Sequence, residues 1–168
     1  MVRRTVAVVL AAVCSLAAAA CRSPDPQQEL ELKELETYWA IDAPVGDTQY
    51  LAPVVRFQLH NKGHERLRYV MASAAFKRKG EEGQTWGSAS TLVTAEKDLE
   101  AGQQMLVVLK SDGRYYSTGT PESMFEHKLF RDAHVEVFAK IGPSNPSKLG
   151  EADVERRIGA KSVQAQRP

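Results

Sequence analysis

The residues best suited to metal chemistry are a histidine and a methionine separated by ten residues. His60 follows the apolar stretch "VVRFQL", and Met71 lies in the next apolar stretch, "RYVMAS". Imidazole nitrogen and thioether sulfur are ligands that copper(I) prefers. The pattern leaves a metal-carrier function open, and the alternative interpretation is an exposed His60 and a core Met71.

A hydrolytic site is the second chemistry to consider. Ser111 and Asp112 could join His127 or His134 in a catalytic triad, but no serine lies in a G-x-S-x-G motif. Without that motif, these residues are typical of turns and solvated surface. The glycine-containing stretches "EEGQTWG" and "GRYYSTGTP" both lack the lysine and the strand–helix context of a phosphate loop. We therefore expect no enzymatic activity and no cofactor.

The N-terminus has the pattern of an export signal. Arg3 and Arg4 precede an uncharged, Ala/Val-rich run that extends from Thr5 to Ala20. This run is shorter than the ~20 apolar residues that a transmembrane helix needs. A basic start, a short apolar centre and small residues at the end are typical of a signal peptide. We predict a signal peptide over residues 1–20.

The residue after that run, Cys21, is a candidate for lipidation. "SLAAAAC" resembles a bacterial lipobox, in which the cysteine receives a diacylglyceryl group and becomes the mature N-terminus. The stretch departs from the family pattern at Ala18, where Leu is usual. Ordinary signal-peptide cleavage is the alternative, and it would leave Cys21 as an exposed thiol. The polar, proline-containing residues that follow are typical of a tether and favour lipidation.

Composition excludes several partners and stabilising devices. The 168 residues carry a formal net charge of +1, which gives no reason to expect binding to nucleic acid. The two cysteines are Cys14, which lies in the signal peptide, and Cys21. The mature domain is therefore expected to have no disulfide and to depend on its own apolar core.

Alternation of apolar and polar residues predicts a β domain over residues 34–159, between a flexible tether at 21–33 and a disordered tail at 160–168. "VVRFQLH" places Val55, Phe57 and Leu59 on one face. "HVEVFAK" directs Val135 and Val137 inward in the same way. Asn61 and Gly63, in the turn "HNKGHE", could supply positive φ.

Three other stretches predict further strands. "RLRYVMASAAFKR" places Leu67, Tyr69, Met71 and Ser73 on one face. "QMLVVLK" is almost continuously apolar and predicts a central strand that is buried on both faces. "EADVERRI" is more polar and predicts a last strand at a sheet edge.

The long segment 111–131 is the most individual part of the chain. Thr120 followed by Pro121 and Glu122 predicts a short helix from about Pro121 to Lys128. Aromatic and methionine side chains on a loop at the end of a rigid sandwich are a common binding arrangement. We therefore predict a partner-binding loop, with packing against the sandwich as the alternative role of the same side chains. The predicted residues are Tyr115, Tyr116, Met124 and Phe125.

Two stretches resemble a known class of domain. "VVRFQLHNKGHERLRYV" is similar to the strand–turn–strand hairpin of bacterial immunoglobulin-like lipoprotein domains, and "LEAGQQMLVVL" is similar to one of their later strands. The resemblance implies an all-β fold, an antiparallel immunoglobulin-like β-sandwich, and it carries over no catalytic residue.

These observations lead to one main expectation about function. The protein is expected to be a lipoprotein of the bacterial cell envelope, held to a membrane through a lipid on Cys21 and facing the periplasm. Arg22 stands where Asp would signal inner-membrane retention, which favours the outer membrane. The expected role is non-enzymatic binding or assembly with an envelope protein. The alternative is a periplasmic copper carrier that uses His60 and Met71.

Overall fold

The structure, a computed structural model, describes residues 24–159. The predicted signal peptide at 1–20, Cys21, the next two residues of the predicted tether and the predicted tail at 160–168 lie outside the described residues. No helix in the described range is long and apolar enough to span a membrane. The elements of this range are α1 (Pro26–Glu29), β1 (Leu30–Ile41), β2 (Gln49–Asn61), β3 (Val70–Arg78), β4 (Gly87–Leu92), β5 (Gln104–Lys110), β6 (Tyr115–Ser117), a 3₁₀ helix (Glu122–Glu126), β7 (Ala133–Ile141) and β8 (Ser147–Asp153).

The strands form two antiparallel sheets. Sheet A has the order β1-β2-β5, with β6 pairing along the first residues of β2, and sheet B has the order β4-β3-β7-β8. In the nomenclature of immunoglobulin domains, sheet A corresponds to strands A, B and E, and sheet B to C′, C, F and G. The predicted all-β, antiparallel sandwich is confirmed.

The core lies between the sheets, where inward-facing residues alternate with outward-facing ones. Val55, Phe57 and Leu59 on β2 are fully buried, as are Val135 and Val137 on β7. These are the inward faces that the sequence alternation predicts for both strands. Each such side chain contributes about 1.5–3 kcal/mol by leaving water, so the core supplies the stability that a disulfide provides in antibody domains.

The predicted boundary between tether and domain is wrong. Residues 26–33 belong to α1 and the start of β1, and Leu30 is buried in the core. The Asp25 side chain caps α1 by accepting a hydrogen bond from Gln27 N at 3.0 Å. Lys62 N donates to Glu29 O at 2.9 Å, which attaches this segment to the end of β2. The polar composition of residues 26–33 suggested a tether, because most of their side chains face solvent although the backbone belongs to the domain.

The predicted inward face of β3 is also wrong. Val70, Ala72, Ala74 and Phe76 face the core, whereas Tyr69 and Met71 are exposed. Tyr69 adopts a left-handed conformation with φ of 53°, and this breaks the alternation between the preceding segment and the strand. A single left-handed residue shifts the register by one, which exchanges the two faces of everything that follows.

The apolar stretch "QMLVVLK" is not a central strand. It forms β5, which pairs with β2 on one side and lies at the edge of sheet A. Its burial alternates, with Val107 and Leu109 inward and Leu106 and Val108 about half exposed. The last strand does lie at an edge as predicted, but β8 spans Ser147–Asp153 and so begins four residues before the predicted stretch "EADVERRI".

The turn after β2 is held by a buried asparagine side chain. Asn61 Nδ2 donates to the backbone oxygens of Glu65 at 2.8 Å and Leu99 at 3.0 Å, and Oδ1 accepts from Gly63 N at 3.0 Å. The expected positive φ is found at neither Asn61 nor Gly63. Gly63 lies against the Glu29 carboxylate, so a Cβ at this position would displace the flexible end of that side chain.

We predict that Asn61→Ala lowers the free energy of unfolding by about 2–3 kcal/mol, because it removes three hydrogen bonds of a buried side chain and leaves Glu65 O and Gly63 N without partners. Chemical denaturation of the purified protein measures this loss. Gln58→Ala, a half-buried position on the outer face of the same strand, is the control and should cost about 0.5 kcal/mol. Equal losses in the two variants would contradict the bridging role of Asn61.

Candidate functional site: an arginine- and aromatic-lined pocket

An aromatic cluster closes one end of the sandwich. Trp39, on β1, is fully buried at its centre. Its ring centroid lies 5.1 Å from that of Phe130, 5.9 Å from Tyr115, 6.1 Å from Phe125 and 6.4 Å from Trp86. The tilted and edge-on ring arrangements are those that aromatic pairs prefer. We call these five residues the aromatic cluster.

The long segment between β6 and β7 is fixed to this cluster by Tyr115. Its hydroxyl donates to Arg131 O and accepts from Arg131 N, both at 3.1 Å. Burial raises the pKa of Tyr115, so the hydroxyl stays protonated at neutral pH. Met124, in the 3₁₀ helix, is buried beside the same rings. These contacts hold a long connection against the end of the sandwich.

A pocket of about 510 Å³ opens between this segment and the turn that joins β3 to β4. This volume lies within the range of about 300–1,000 Å³ that is typical of ligand sites. The pocket has aromatic, methionine and basic side chains in its wall. It is lined by Arg78, Trp86, Arg114, Tyr115, Tyr116, Ser117, Ser123, Met124, His127, Leu129 and Phe130.

The charged groups of the pocket wall are all basic, because none of its lining residues is an aspartate or glutamate. The Arg114 guanidinium lies 4.3 Å from the centroid of the Tyr50 ring and 3.7 Å from Asp42 Oδ2. Arg78 lies 5.9 Å from the centroid of Trp86 and pairs with Glu81 at 2.5 Å. Stacking on a ring fixes the orientation of each guanidinium.

His127 adds a directed hydrogen-bonding group. Its Nδ1 accepts from Leu129 N at 3.2 Å. The neutral imidazole therefore carries its proton on Nε2, which is a donor. Together the wall offers hydrogen-bond donors for an anionic group and ring faces for an apolar one.

An ion pair supports the outer side of the cluster. Arg156 donates to both carboxylate oxygens of Asp132, at 2.7 and 3.0 Å, and its guanidinium lies 5.5 Å from the Phe130 centroid. These hydrogen bonds hold the pKa of Asp132 below its ordinary value of 3.8. The pair therefore stays ionised and holds the C-terminal segment over Phe130.

The four predicted loop residues have different environments. Tyr115, Tyr116 and Met124 line the pocket, whereas Phe125 packs within the aromatic cluster. Tyr116 is 75% exposed, and Met124 is 4% exposed. Met124 and Phe125 therefore have the alternative role, which is packing against the sandwich. Of the four residues, Tyr116 alone presents a largely exposed side chain.

Sequence reasoning missed Arg78, Trp86, Arg114 and Phe130. Arg78 ends β3 and Trp86 precedes β4, so both lie far along the chain from the loop. No local pattern joins them to residues 115–130. The one available signal was Trp86 itself, a large side chain within the polar stretch "GQTWGS".

The structure does not bring His60 and Met71 together. His60 lies on the outer face of sheet A, with Nδ1 3.2 Å from Glu31 Oε2, and Met71 lies on the outer face of sheet B. Within residues 24–159, no three His, Cys, Asp or Glu side chains form a group that could hold a metal ion. The alternative interpretation, in which Met71 is a core residue, is also wrong, since Met71 is 44% exposed.

The residues considered for a hydrolytic triad have turn roles. Ser111 Oγ accepts from Gly113 N at 3.0 Å, and Asp112 Oδ1 accepts from Ser88 N at 2.6 Å. His127 bonds within its own turn. His134 Nδ1 lies 3.0 Å from Asp153 Oδ1 on the neighbouring strand β8. These contacts fix loops and strand ends, and they do not assemble a serine with a base.

The chain matches no protein-family model and no curated protein. It is similar to part of a β-glucuronidase of glycoside hydrolase family 2, with 11% identity and a TM-score of 0.42 over 70% of this chain and 10% of that one. It is also similar to a Bordetella pertussis protein named ApaA, with 10% identity and a TM-score of 0.41 over 76% of this chain and 94% of that one. The chain thus spans about a tenth of the β-glucuronidase.

Fold and pocket define this protein as an antiparallel sandwich with a basic, aromatic pocket at one end.

We predict that Tyr115→Phe destabilises the protein by about 1 kcal/mol and increases amide hydrogen exchange at Arg131, because both hydrogen bonds to that residue are lost. Exchange measured by mass spectrometry checks the position of the effect. Tyr116→Phe is the matched control, since the Tyr116 hydroxyl has no hydrogen bond to any residue of the described range. Unchanged exchange at Arg131 in Tyr115→Phe would contradict the anchoring role.

Proposed function

We propose that the protein is an exported lipoprotein of the bacterial cell envelope and that its sandwich is a non-enzymatic binding module. Export and anchoring rest on the basic N-terminus, the small residues at 18–20 and Cys21. The binding role rests on the pocket, whose volume and wall chemistry suit recognition. Arginine and large aromatic side chains are the residues that most often dominate binding energy.

The position of the pocket is the observation that carries this proposal. The chain enters the domain through Pro24 and α1, beside Lys62 and Gly63. The pocket lies at the other end of β1, beyond Trp39. Trp39 lies nine positions after Leu30 in β1, which corresponds to about 30 Å of extended strand. A lipid on Cys21 would therefore hold the pocket away from the membrane, where a periplasmic partner can reach it.

The wall chemistry specifies the kind of group that is bound. Arg114, Arg78 and His127 Nε2 suit a carboxylate, while Trp86 and Tyr115 suit a flat apolar group beside it. Exposed Tyr116 and Leu129 form the rim. We propose that an acidic segment with an adjacent apolar side chain, on another envelope protein, occupies the pocket.

Photo-cross-linking in cells tests this proposal directly. A photoreactive phenylalanine analogue at Tyr116 is expected to capture one dominant envelope protein, in an adduct recovered with the membrane fraction. The same analogue at Tyr69 is the matched control, because Tyr69 is 72% exposed and lies at the other end of the sandwich. Capture of the same abundant proteins from both positions would contradict the proposal.

A second comparison ties the adduct to the pocket wall. Arg114→Gln should reduce the adduct from Tyr116 about tenfold, as expected for loss of a charge-assisted contact. Arg68→Gln is its control, because Arg68 has similar exposure and a comparable ion pair to Asp98 at 3.4 Å. Equal adduct in both variants would place the contact outside the pocket.

A further inference from the structure

The free side of β5 has unpaired backbone groups along its whole length. Ser111 N donates to Pro53 O, and Gln103 O accepts from Asn61 N, both at 3.0 Å, so odd-numbered residues of this strand face β2. In an antiparallel pair, alternate residues direct their N–H and C=O groups to opposite sides. The groups of the even-numbered residues from Gln104 to Lys110 thus point away from β2. No other residue within 24–159 hydrogen-bonds to them.

The side chains of the same residues make this edge apolar. Leu106 is 53% exposed and Val108 is 49% exposed on the outer face of sheet A. The strand consequently combines a free backbone edge with two adjacent apolar side chains. Its sequence is that of a strand with neighbours on both sides, which is why it predicted a central position.

The other three sheet edges carry features that prevent pairing. β1 is interrupted by a bulge between Lys33 and Glu36, and near its end Trp39 N donates to Arg157 O at 2.7 Å. β8 has a register shift and carries the charged residues Lys148 and Glu151. β4 has six residues, most of them small and polar. Bulges, charges and short length are the usual protections of an edge, and β5 has none of them before its last residue.

We infer that β5 is an interface at which two copies of this chain pair, strand to antiparallel strand, into a continuous sheet. A two-fold axis at Val107 places Leu106 of one copy opposite Val108 of the other and Gln104 opposite Lys110. The even-numbered residues then form the hydrogen-bonded pairs that their orientation requires. The apolar outer side chains of both strands become one cluster.

The residue pattern of the strand selects a second copy in this orientation. The exposed apolar residues Leu106 and Val108 lie opposite each other, and so do the polar end residues Gln104 and Lys110. A parallel arrangement would place the Lys110 side chains of the two copies together. The interface is independent of the pocket, which lies at the end of the sandwich.

Sedimentation equilibrium of the full chain in detergent, from about 1 to about 100 μM, tests this inference. The parent protein is expected to change from monomer to dimer across that range. Val108→Lys should weaken dimerisation at least tenfold, because it introduces a charge at the centre of the pair. Leu92→Lys, on edge strand β4, is the control, since Leu92 is 42% exposed, and it should dimerise like the parent.

Disulfide trapping identifies the surface that is used. Opposed Cα atoms of a hydrogen-bonded antiparallel pair are about 5.5 Å apart, which suits a disulfide. Leu106→Cys combined with Val108→Cys should yield a covalent dimer on oxidation, above the background of the parent chain. Ser88→Cys with Ser90→Cys on β4 should not. A parent that stays monomeric, equal losses in both lysine variants, or a dimer that these β5 cysteines fail to trap would each overturn the inference.

Discussion

The burial of Trp39 is the constraint on which the pocket end of this protein depends. Its indole is fully buried and touches four other aromatic side chains, which come from three segments of the chain. Its backbone N and O bond to Arg157 and Gly159, so β1 also holds the segment that follows β8. A buried tryptophan removes some 150–250 Å² of surface from water. This packing closes the sandwich in a domain that has no cysteine between residues 24 and 159.

The pocket follows from that closure. The rings of Tyr115 and Phe130 lie 4.9 Å apart against Trp39, so the segment between β6 and β7 must cross the end of the sandwich. The end of β3 and the turn that follows it supply Arg78 and Trp86 from the other sheet. The pocket is the space between these two connections. Its base is rigid because each ring is held by its neighbours, and its rim is open because Tyr116 and Leu129 extend into solvent.

The sequence predicted the inward faces of β2 and β7 because both strands alternate regularly and contain no left-handed residue. It failed for β3, where Tyr69 shifts the alternation by one residue. It also failed for β5, because periodicity reports how many faces are apolar and contains no information about which strands are neighbours. An apolar edge strand and a central strand have the same sequence pattern. The exposed Leu106 and Val108 are therefore visible only in the folded chain.

The candidate site was predicted only in part, for a similar reason. Tyr115, Tyr116 and Met124 are close in sequence and were recognised together. Arg114 directly precedes Tyr115, but nothing in the local sequence marks it as part of a wall, and Arg78 ends β3 and reaches the same wall only through the fold. Physical reasoning from sequence therefore identifies the loop, but the chemistry of the pocket wall depends on long-range topology.

The central functional claim is that a lipid on Cys21 holds this pocket at a distance from the membrane. The intact mass of the protein recovered from the membrane fraction tests it most directly. The account predicts the mass of residues 21–168 plus a diacylglyceryl group, with or without a third acyl chain. An unmodified mass, with the protein in the soluble periplasmic fraction, would contradict the anchor and make Cys21 a free thiol on a diffusible protein.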